Sequence, residues 1–398
     1  MSSLRNKRKK LVIITSRFPY PLEKGDKLRA YHQLKELSLH FDIVLISTSD
    51  IKVHKKDIDE IRKYCKTIYI LYLNKISILF NLTFQLFTQK PFQIGYFYSS
   101  RNNARIKNIL KEEKPDHIYC QLIRVAEYVK DYHECPKTID YMDALSKGME
   151  RRVDKASIYT KWLFNIEAKR LSNYERKIFD YFENQIMISE QDKDFILHPD
   201  RNKILCIPNG VDDSFFESIK VKKNEEIVFI GNLSYAPNIE AIHYLVDHIN
   251  PYFLSKNEKF KILISGATPS NSIKKIVKEN PNIELTGWVE DIRNSYSRGK
   301  IFVAPMMIGT GMQNKLIEAM AMGIPCVTTS LANNAIKGKH KESIMVANTK
   351  EEFITAIDEL LNNKELYNKI VSKARELIHH KYKWKGTTTR LIHLIQKP

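Results

Sequence analysis

Pro305-Met306-Met307-Ile308-Gly309-Thr310-Gly311-Met312-Gln313-Asn314-Lys315-Leu316-Ile317-Glu318-Ala319-Met320-Ala321-Met322-Gly323-Ile324-Pro325 starts at the end of one short apolar run, Ile301–Pro305, and stops just before another, Cys326–Thr329. Between them Leu316, Ile317 and Met320 repeat at helical spacing and form the buried stripe of a helix. Gly323-Ile324-Pro325 ends that helix, because glycine frees the backbone and proline cannot continue the hydrogen-bond ladder. Strand, glycine turn, helix and strand make one parallel βαβ unit. Such junctions, where strand ends meet helix starts, are where doubly wound sheets bind ligands. Gly309 and Gly311 would leave backbone amides bare at the helix start, suited to a phosphate. Glu318 would lean back toward the same mouth and could accept hydrogen bonds from ribose hydroxyls. The plainer reading is a Lys315/Glu318 surface pair at i,i+3 spacing, worth a few tenths of a kcal/mol.

The same alternation fills the chain and occurs as two series. In the first, strands are predicted at Leu11–Ser16, Asp42–Thr48, Thr67–Leu73, His117–Cys120, Thr138–Met142, Gln185–Ser189 and Lys203–Ile207, with helices that include Lys27–His40 and Ile158–Phe182. The second follows the turn Pro208-Asn209-Gly210. Its predicted strands are Ile227–Gly231, Lys261–Ser265, Ile283–Gly287, Ile301–Pro305, Cys326–Thr329 and Ile344–Ala347, and its helices include Ile239–Phe253 and Met312–Met322. A length of 398 residues suits two cores. The predicted organisation is a first α/β domain over 1–207, a linker over 208–225, a second domain over 226–381 and a last helix over 382–398 that could pack on either domain.

Sixty-four Lys and Arg against 46 Asp and Glu give a net charge of +18. That excess implies an anionic partner (nucleic acid, an anionic membrane surface or a phosphorylated substrate), or simply Lys-rich faces that keep the chain in solution. Cys65, Cys120, Cys135, Cys206 and Cys326 are scattered, form no CxxC pair and read as buried thiols in a reducing compartment. Arg5, Lys7, Arg8, Lys9 and Lys10 lead straight into a short strand, and Ile76–Phe87 falls well short of the ~20 residues that span a bilayer. Both features predict a cytoplasmic chain. The basic start, Ile76–Phe87 and the aromatics Phe92, Tyr96, Phe97 and Tyr98 could still dip into an anionic leaflet, as in a peripheral membrane protein.

A second junction stands after the first strand, at Arg17-Phe18-Pro19-Tyr20-Pro21-Leu22-Glu23-Lys24-Gly25-Asp26. Gly25 lets a ligand approach the backbone closely at a helix start; alternatively this is a Pro-stiffened loop with Asp26 as a plain N-cap. Asp57-Ile58-Asp59 and Asp192-Lys193-Asp194 have the DxD spacing of a metal-binding motif but sit in charged helical stretches and read as solvated faces. No His, Cys, Asp or Glu set has metal-ligand spacing, and no nucleophile elbow, Walker loop or HExxH is present.

Together these segments resemble glycosyltransferase family 4, of the GT-B fold of two facing Rossmann-like doubly wound domains. Its second domain marks the donor site with Gly-x-x-x-x-x-x-Glu-Ala-Met-Ala-x-Gly-x-Pro, matched here by Gly311, Glu318-Ala319-Met320-Ala321, Gly323 and Pro325. The match extends to Ile207-Pro208-Asn209-Gly210-Val211-Asp212, Phe229-Ile230-Gly231, Thr286-Gly287-Trp288-Val289 and Tyr382-Lys383-Trp384, nearly the whole chain. Arg17-Phe18-Pro19-Tyr20-Pro21 with Lys24-Gly25-Asp26-Lys27 looks closer still to the sugar transferases associated with PEP-CTERM/exosortase polysaccharide systems.

The resemblance implies retaining, metal-independent transfer from a nucleoside diphosphate sugar, a co-substrate with no further cofactor, to a glycan or lipid-linked acceptor in surface polysaccharide biosynthesis. By position it implies that Glu318 holds the donor ribose, and that Gly311 and Met312 present amides to the diphosphate, with Gly309, Thr310 and Gln313 alongside. Gly287, Trp288 and Val289 would lie beside the base, Gly231 and Asn232 would line the donor site, and Gly25 with Arg17 would belong to the first-domain loop that closes on the donor. Two departures matter. Thr310 replaces the first Glu of the family's Glu-x7-Glu pair, and the family's Arg and Lys after the first strand of the second domain fall on Gly231-Asn232-Leu233-Ser234-Tyr235-Ala236-Pro237-Asn238, where neither charge survives.

The reaction needs a stabilised leaving diphosphate and a positioned acceptor hydroxyl rather than a nucleophile. Lys315 is the candidate compensating cation, with Arg17 or Lys24 as alternatives from the first domain. Asp143, in Asp140-Tyr141-Met142-Asp143, is the candidate for orienting acceptor or donor sugar, or else the N-cap of the next helix. Asp143, Lys315 and Glu318 are thus the predicted catalytic group. An epimerase of similar fold would change a nucleotide sugar with no acceptor present. A nucleic-acid binder would interleave aromatics with Lys and Arg in a known module, which the sequence lacks, so no nucleic-acid partner is expected.

Overall fold

A computed structural model of the chain describes residues 8–155, 157–217, 219, 223–308 and 312–397, without the side chains of residues 154 and 155. Gly309, Thr310 and Gly311, the basic Arg5 and Lys7, and residues 218 and 220–222 of the expected linker lie outside the described residues. The chain divides into two compact units, 1–208 with 388–398, and 209–387.

In the first unit, β1 (Lys10–Thr15), β2 (Asp42–Ser49), β3 (Thr67–Tyr72), β4 (His117–Gln121), β5 (Lys137–Asp140), β6 (Asn184–Met187) and β7 (Leu205–Cys206) form a parallel sheet in the order β3-β2-β1-β4-β5-β6-β7. In the second, β8 (Glu225–Ile230), β9 (Ile262–Ser265), β10 (Ile283–Leu285), β11 (Gly299–Ala304), β12 (Cys326–Thr328) and β13 (Met345–Val346) are ordered β10-β9-β8-β11-β12-β13, also parallel. Both sheets reverse direction beside their first strand, at β1/β4 and at β8/β11, so each opens a crevice there at the carboxyl ends.

β1 shows why these strands read as unbroken apolar runs rather than as an alternation. Successive side chains point to opposite faces, and both faces are covered. Val12 and Ile14 pack into one core with Ile118 and Ile139, while Leu11 and Ile13 pack into another with Leu34 and Ile43. The second core also takes Leu391, Ile392 and Ile395 of the last helix, Trp384–Gln396, which fixes the side on which that helix packs. Burying each of these three side chains contributes about 1.5–3 kcal/mol.

First-unit helices used below are α1 (Gly25–Leu37), α2 (Lys55–Arg62), α3 (Lys75–Gln85), α4 (Phe92–Phe97), α5 (Ser100–Glu113), α6 (Leu145–Lys155), α7 (Ile158–Ile178) and α8 (Glu190–Lys193). In the second unit they are α9 (Ala236–Tyr244), α10 (Asn250–Lys256), α11 (Asn271–Glu279), α12 (Ile292–Arg298) and α13 (Asn314–Ala321). The single helix expected over Ile239–Phe253 is interrupted by a wide turn at Leu245–Ile249. Pro251, next in line, cannot donate to the ladder and crowds the carbonyl four residues back.

Several expectations about exposure are corrected by packing. Asp57 and Asp192, expected on solvated faces, are buried; Asp192 accepts from Ser189 Oγ at 2.5 Å. The aromatics Phe92, Tyr96, Phe97 and Tyr98 do not present a membrane face. Phe97 is buried, Tyr98 stacks on Tyr128 at 5.5 Å, Tyr96 donates to Asp50 Oδ2 at 2.6 Å, and the Arg170 guanidinium lies 5.1 Å from the Phe92 ring centre. Among the cysteines, Cys65, Cys120 and Cys326 are buried, whereas Cys135 and Cys206 are half-buried. Among the described residues no helix is long and apolar enough to cross a membrane.

Candidate active site

In the second unit α9 follows the carboxyl end of β8 and α13 follows that of β11, the two strands at which the sheet reverses direction. Helix α13 begins at Asn314, so Glu318 lies about one turn in, closer to the mouth than a start at Met312 would put it. Its carboxylate is held from the side: Tyr296 Oη of α12 lies 2.8 Å from Glu318 Oε2 and 3.1 Å from the Lys315 carbonyl, sharing one proton between them. Burial raises the Glu318 carboxyl above its ordinary value, with Tyr296 and the nearby Lys315 charge opposing.

Lys315 is no surface partner of Glu318. It is buried, its ammonium donates to Asn238 Oδ1, and it lies 3.5 Å from Met306 Sδ and 4.8 Å from the Phe229 ring centre. Asn238 in turn donates from Nδ2 to the Asn232 carbonyl at 2.8 Å. The ammonium therefore stands against the last residue of Gly231–Asn238, the segment in which the resemblance expects an Arg and a Lys. It reaches the first turn of α9, which follows β8, and Met306 beside the end of β11. Burial pushes Lys315 down to about 7, and the Glu318 charge only partly opposes this.

A Cβ built on Gly231 would meet Asn238 Nδ2 at 2.6 Å, so a larger residue here would displace the Asn238 side chain. Asn232 Oδ1 accepts from Ser234 N at 2.9 Å and Ser234 Oγ at 2.7 Å, which fixes the turn. After β10, Gly287 adopts φ +70° and its carbonyl accepts from Gly266 N at 3.0 Å; Trp288 is 68% exposed and Val289 half-buried beside it. Met312 is half-buried against the second-unit core, and Gln313 is the N-cap residue of α13 without a side-chain cap bond. Asn209 donates to Asn314 Oδ1 at 3.0 Å, which ties Pro208-Asn209-Gly210 to the start of α13.

In the first unit a polar cluster gathers at the carboxyl ends of β1, β4 and β5. Asp143 is half-buried there and does not cap α6. Glu175 of α7 takes the Ser146 amide at 3.1 Å and the Ser146 hydroxyl at 2.5 Å, and Asp192 takes the Ala144 amide. Burial, then the Asp192 charge, pushes Asp143 up to about 7, while Arg29 and Arg124 pull the other way. Behind it Arg29 and Asp140 are fully buried and paired at 2.6 Å, and Tyr119 Oη donates to the same Asp140 oxygen at 2.6 Å. Asp26 is not the N-cap of α1; that position is Lys24, and Asp26 lies in the first turn, paired with Arg17 Nη1 at 2.6 Å. Sequence reasoning missed Tyr296, Asn238, Arg29 and Arg124. Their partners lie far along the chain, and no spacing pattern announces them.

A solved structure of Anabaena HepE in complex with UDP and glucose superposes with a TM-score of 0.69 at 11% identity, over 97% of this chain and 99% of that one. The fold is GT-B. Within this GT-B chain, residues 224–363 match the family model "Glycosyl transferases group 1". An "uncharacterized 44.6 kDa protein in cps region" of Klebsiella pneumoniae is 24% identical over 395 residues, 92% of this chain and 93% of its own. The Escherichia coli UDP-Gal:alpha-D-GlcNAc-diphosphoundecaprenol alpha-1,3-galactosyltransferase is 26% identical over 216 residues, 47% of this chain and 55% of its own. These likenesses support a glycosyltransferase.

Proposed function

We propose that this GT-B chain is a family 4 transferase of the kind associated with PEP-CTERM/exosortase systems. It moves a sugar, with retention and without a metal or other cofactor, from a nucleoside diphosphate sugar to a glycan or lipid-linked acceptor in surface polysaccharide synthesis. The observation that carries the reading is that one helix presents both Glu318, held by Tyr296, and Lys315, buried against Asn238 of α9. A carboxylate can take ribose hydroxyls and an ammonium a diphosphate. The Escherichia coli relative's diphosphoundecaprenol-linked acceptor and the UDP and glucose bound to HepE support the substrate classes. The test is thermal unfolding with each nucleoside diphosphate in the presence of a chelator. A ligand at 100 times its Kd adds ~2.7 kcal/mol; if none raises the midpoint, or if stabilisation needs added metal, the reading fails.

Asp143 orients the acceptor hydroxyl by accepting its proton in a hydrogen bond. Asp143→Asn is expected to lower turnover at least tenfold, in line with the ~10²–10⁴ typical of positioned acid–base groups, and to leave nucleoside diphosphate affinity nearly unchanged. Because the carboxylate is the accepting form and the group sits at about 7, kcat/KM for the acceptor should rise with pH through 7, and Asp143→Asn should flatten that rise. An equal loss of nucleotide affinity would assign Asp143 to the donor instead.

The proposal includes peripheral membrane attachment, which α3 supports. Ile76, Leu79, Phe80 and Phe84 on this helix, and Phe87 just beyond it, are 56–87% exposed. Between Asn74 and Lys111 the sequence has Lys75, Lys90, Arg101, Arg105, Lys107 and Lys111 and no acidic residue. Each cation near an anionic surface contributes about 1 kcal/mol. The chain should therefore sediment with phosphatidylglycerol vesicles, release in high salt, and bind less after Phe80→Ser with Phe87→Ser. Equal partitioning to neutral vesicles would remove the electrostatic part.

A further inference from the structure

Of the two acids in Asp192-Lys193-Asp194, Asp194 stays exposed while Asp192 is only 1% exposed. The sheet fixes where Asp192 lies. β5 and β6 pair with Asp140 opposite Ile186, and the pairing runs on past both strands: Tyr141 N donates to the Ile186 carbonyl at 2.9 Å and Ile188 N to the Met142 carbonyl at 3.0 Å. The same register brings Asp143 level with Ser189, the N-cap of α8. Ser189 Oγ donates to Asp192 Oδ2 at 2.5 Å and accepts the Asp192 amide at 3.1 Å, which turns the Asp192 side chain back to the helix start. There it faces the Ala144 amide, next to Asp143. The chain reaches Asp143 through Met142 at φ +61°, a backbone conformation uncommon for any residue but glycine, and Asp140 Oδ1 holds the Met142 amide at 2.9 Å.

Charges from many elements meet at these two carboxyls. Beyond burial, Asp143 feels Asp192 of α8, Arg29 of α1, Asp140 of β5 and Arg124 of the turn after β4. Burial raises Asp192, and the Ser189 hydroxyl, the Ala144 amide and Arg151 of α6 oppose this. Glu175 of α7, raised mainly by burial, is the remaining acid within reach of the Asp192 charge. Two donors and a cation thus favour the ionised form of Asp192, whereas the Asp143 carboxyl takes no hydrogen bond from the described residues. Of the pair, Asp143 is the one that keeps a proton up to neutral pH.

We propose that Asp192 is a positioning residue for Asp143: from the start of α8 it fixes the backbone beside Asp143, and its charge sets the pH above which Asp143 becomes the accepting carboxylate. The consequence for transfer rests on the reading that Asp143 takes the acceptor hydroxyl; the coupling of the two carboxyls stands on the geometry of β5, β6 and α8. Arg29 acts on the same group with the opposite sign, so α1 and α8 together set the pH at which the first unit is ready for an acceptor.

The test is a carbon NMR titration of the full chain carrying aspartate labelled at the carboxyl carbon, with the Asp143 resonance identified as the one absent from Asp143→Asn. In wild type it should titrate near 7. In Asp192→Asn, which keeps an oxygen for Ser189 and Ala144, it should titrate about one pH unit lower, as expected for removal of a like charge at close range. Arg29→Met should move the same resonance up; a general loosening of the fold would not send the two variants in opposite directions. An unchanged Asp143 midpoint in Asp192→Asn would overturn the proposal. So would a group near 7 that vanishes in Asp192→Asn but survives in Asp143→Asn, since the proton would then sit on Asp192. If Asp192→Asn unfolds early, Ser189→Ala removes one donor from the Asp192 carboxylate and should lower the Asp143 midpoint by a smaller amount. A midpoint that moves as expected, beside an acceptor pH profile that Asp143→Asn fails to flatten, would support the coupling and remove only the acceptor role.

Discussion

Lys315→Met is expected to weaken nucleoside diphosphate binding by about 10- to 150-fold, the ~1.5–3 kcal/mol of a charged hydrogen bond, while making the chain more heat-stable. The two effects share a cause. Lys315 sits at about 7 in the folded chain against an ordinary value of 10.5, so the unfolded chain binds the extra proton between those values. The stability cost is therefore fully present below pH 7 and recedes as pH rises toward 10.5. At neutral pH it amounts to about 3–5 kcal/mol at 1.36 kcal/mol per pH unit. For a unit of this size, removing it should raise the unfolding midpoint by roughly 10 °C. The expense is explained if a diphosphate supplies the missing counter-charge. Binding at pH 8 should then take up a proton, visible in calorimetry across buffers of different ionisation heat, and affinity should fall as pH rises above 7. Glu318→Gln should weaken nucleoside and diphosphate alike through the ribose, whereas Lys315→Met should spare the uncharged nucleoside. Proton-independent, undiminished diphosphate binding in Lys315→Met would leave Lys315 as a packing residue.

Arg29→Met should destabilise the chain by about 3–5 kcal/mol, because it strands a buried charge rather than removing a pair. Asp140 keeps the Tyr119 hydroxyl at 2.6 Å and the Met142 amide at 2.9 Å but loses its only ion-pair partner among the described residues. Denaturant unfolding should show a lower midpoint with an unchanged slope. Arg29 also helps to hold Asp143 down, so any activity left in the variant should need a higher pH than wild type. A variant as stable as wild type would overturn this reading of the buried pair. Exposed pairs such as Arg62–Asp59 predict no such loss, being worth about 0–1 kcal/mol.

The strands were legible because a parallel sheet covered on both faces leaves an apolar run in each strand, as Leu11–Ile14 and Ile301–Ala304 show. The junction at Pro305–Pro325 was legible because glycine, helix stripe and stop signal all act within a few residues. The direction of Lys315 was not. A side chain on the first turn leans toward the helix start by default, yet this one crosses to Asn238, 77 positions away. Asp143 read equally well as a cap, and only Glu175 of α7, which already takes the Ser146 amide, removes that role. The acidic residues of Asp57-Ile58-Asp59 and Asp192-Lys193-Asp194 sit in charged stretches, yet Asp57 and Asp192 turn inward.

By itself, then, the sequence determined the alternating elements, the two series and the helix that carries Glu318, because hydrophobic period is local. The tertiary structure alone decided which cation meets the first turn of α9, which carboxylates are enclosed and which side chain caps α6. Those outcomes depend on partners brought together from distant strands and helices, where burial sets charge and direction.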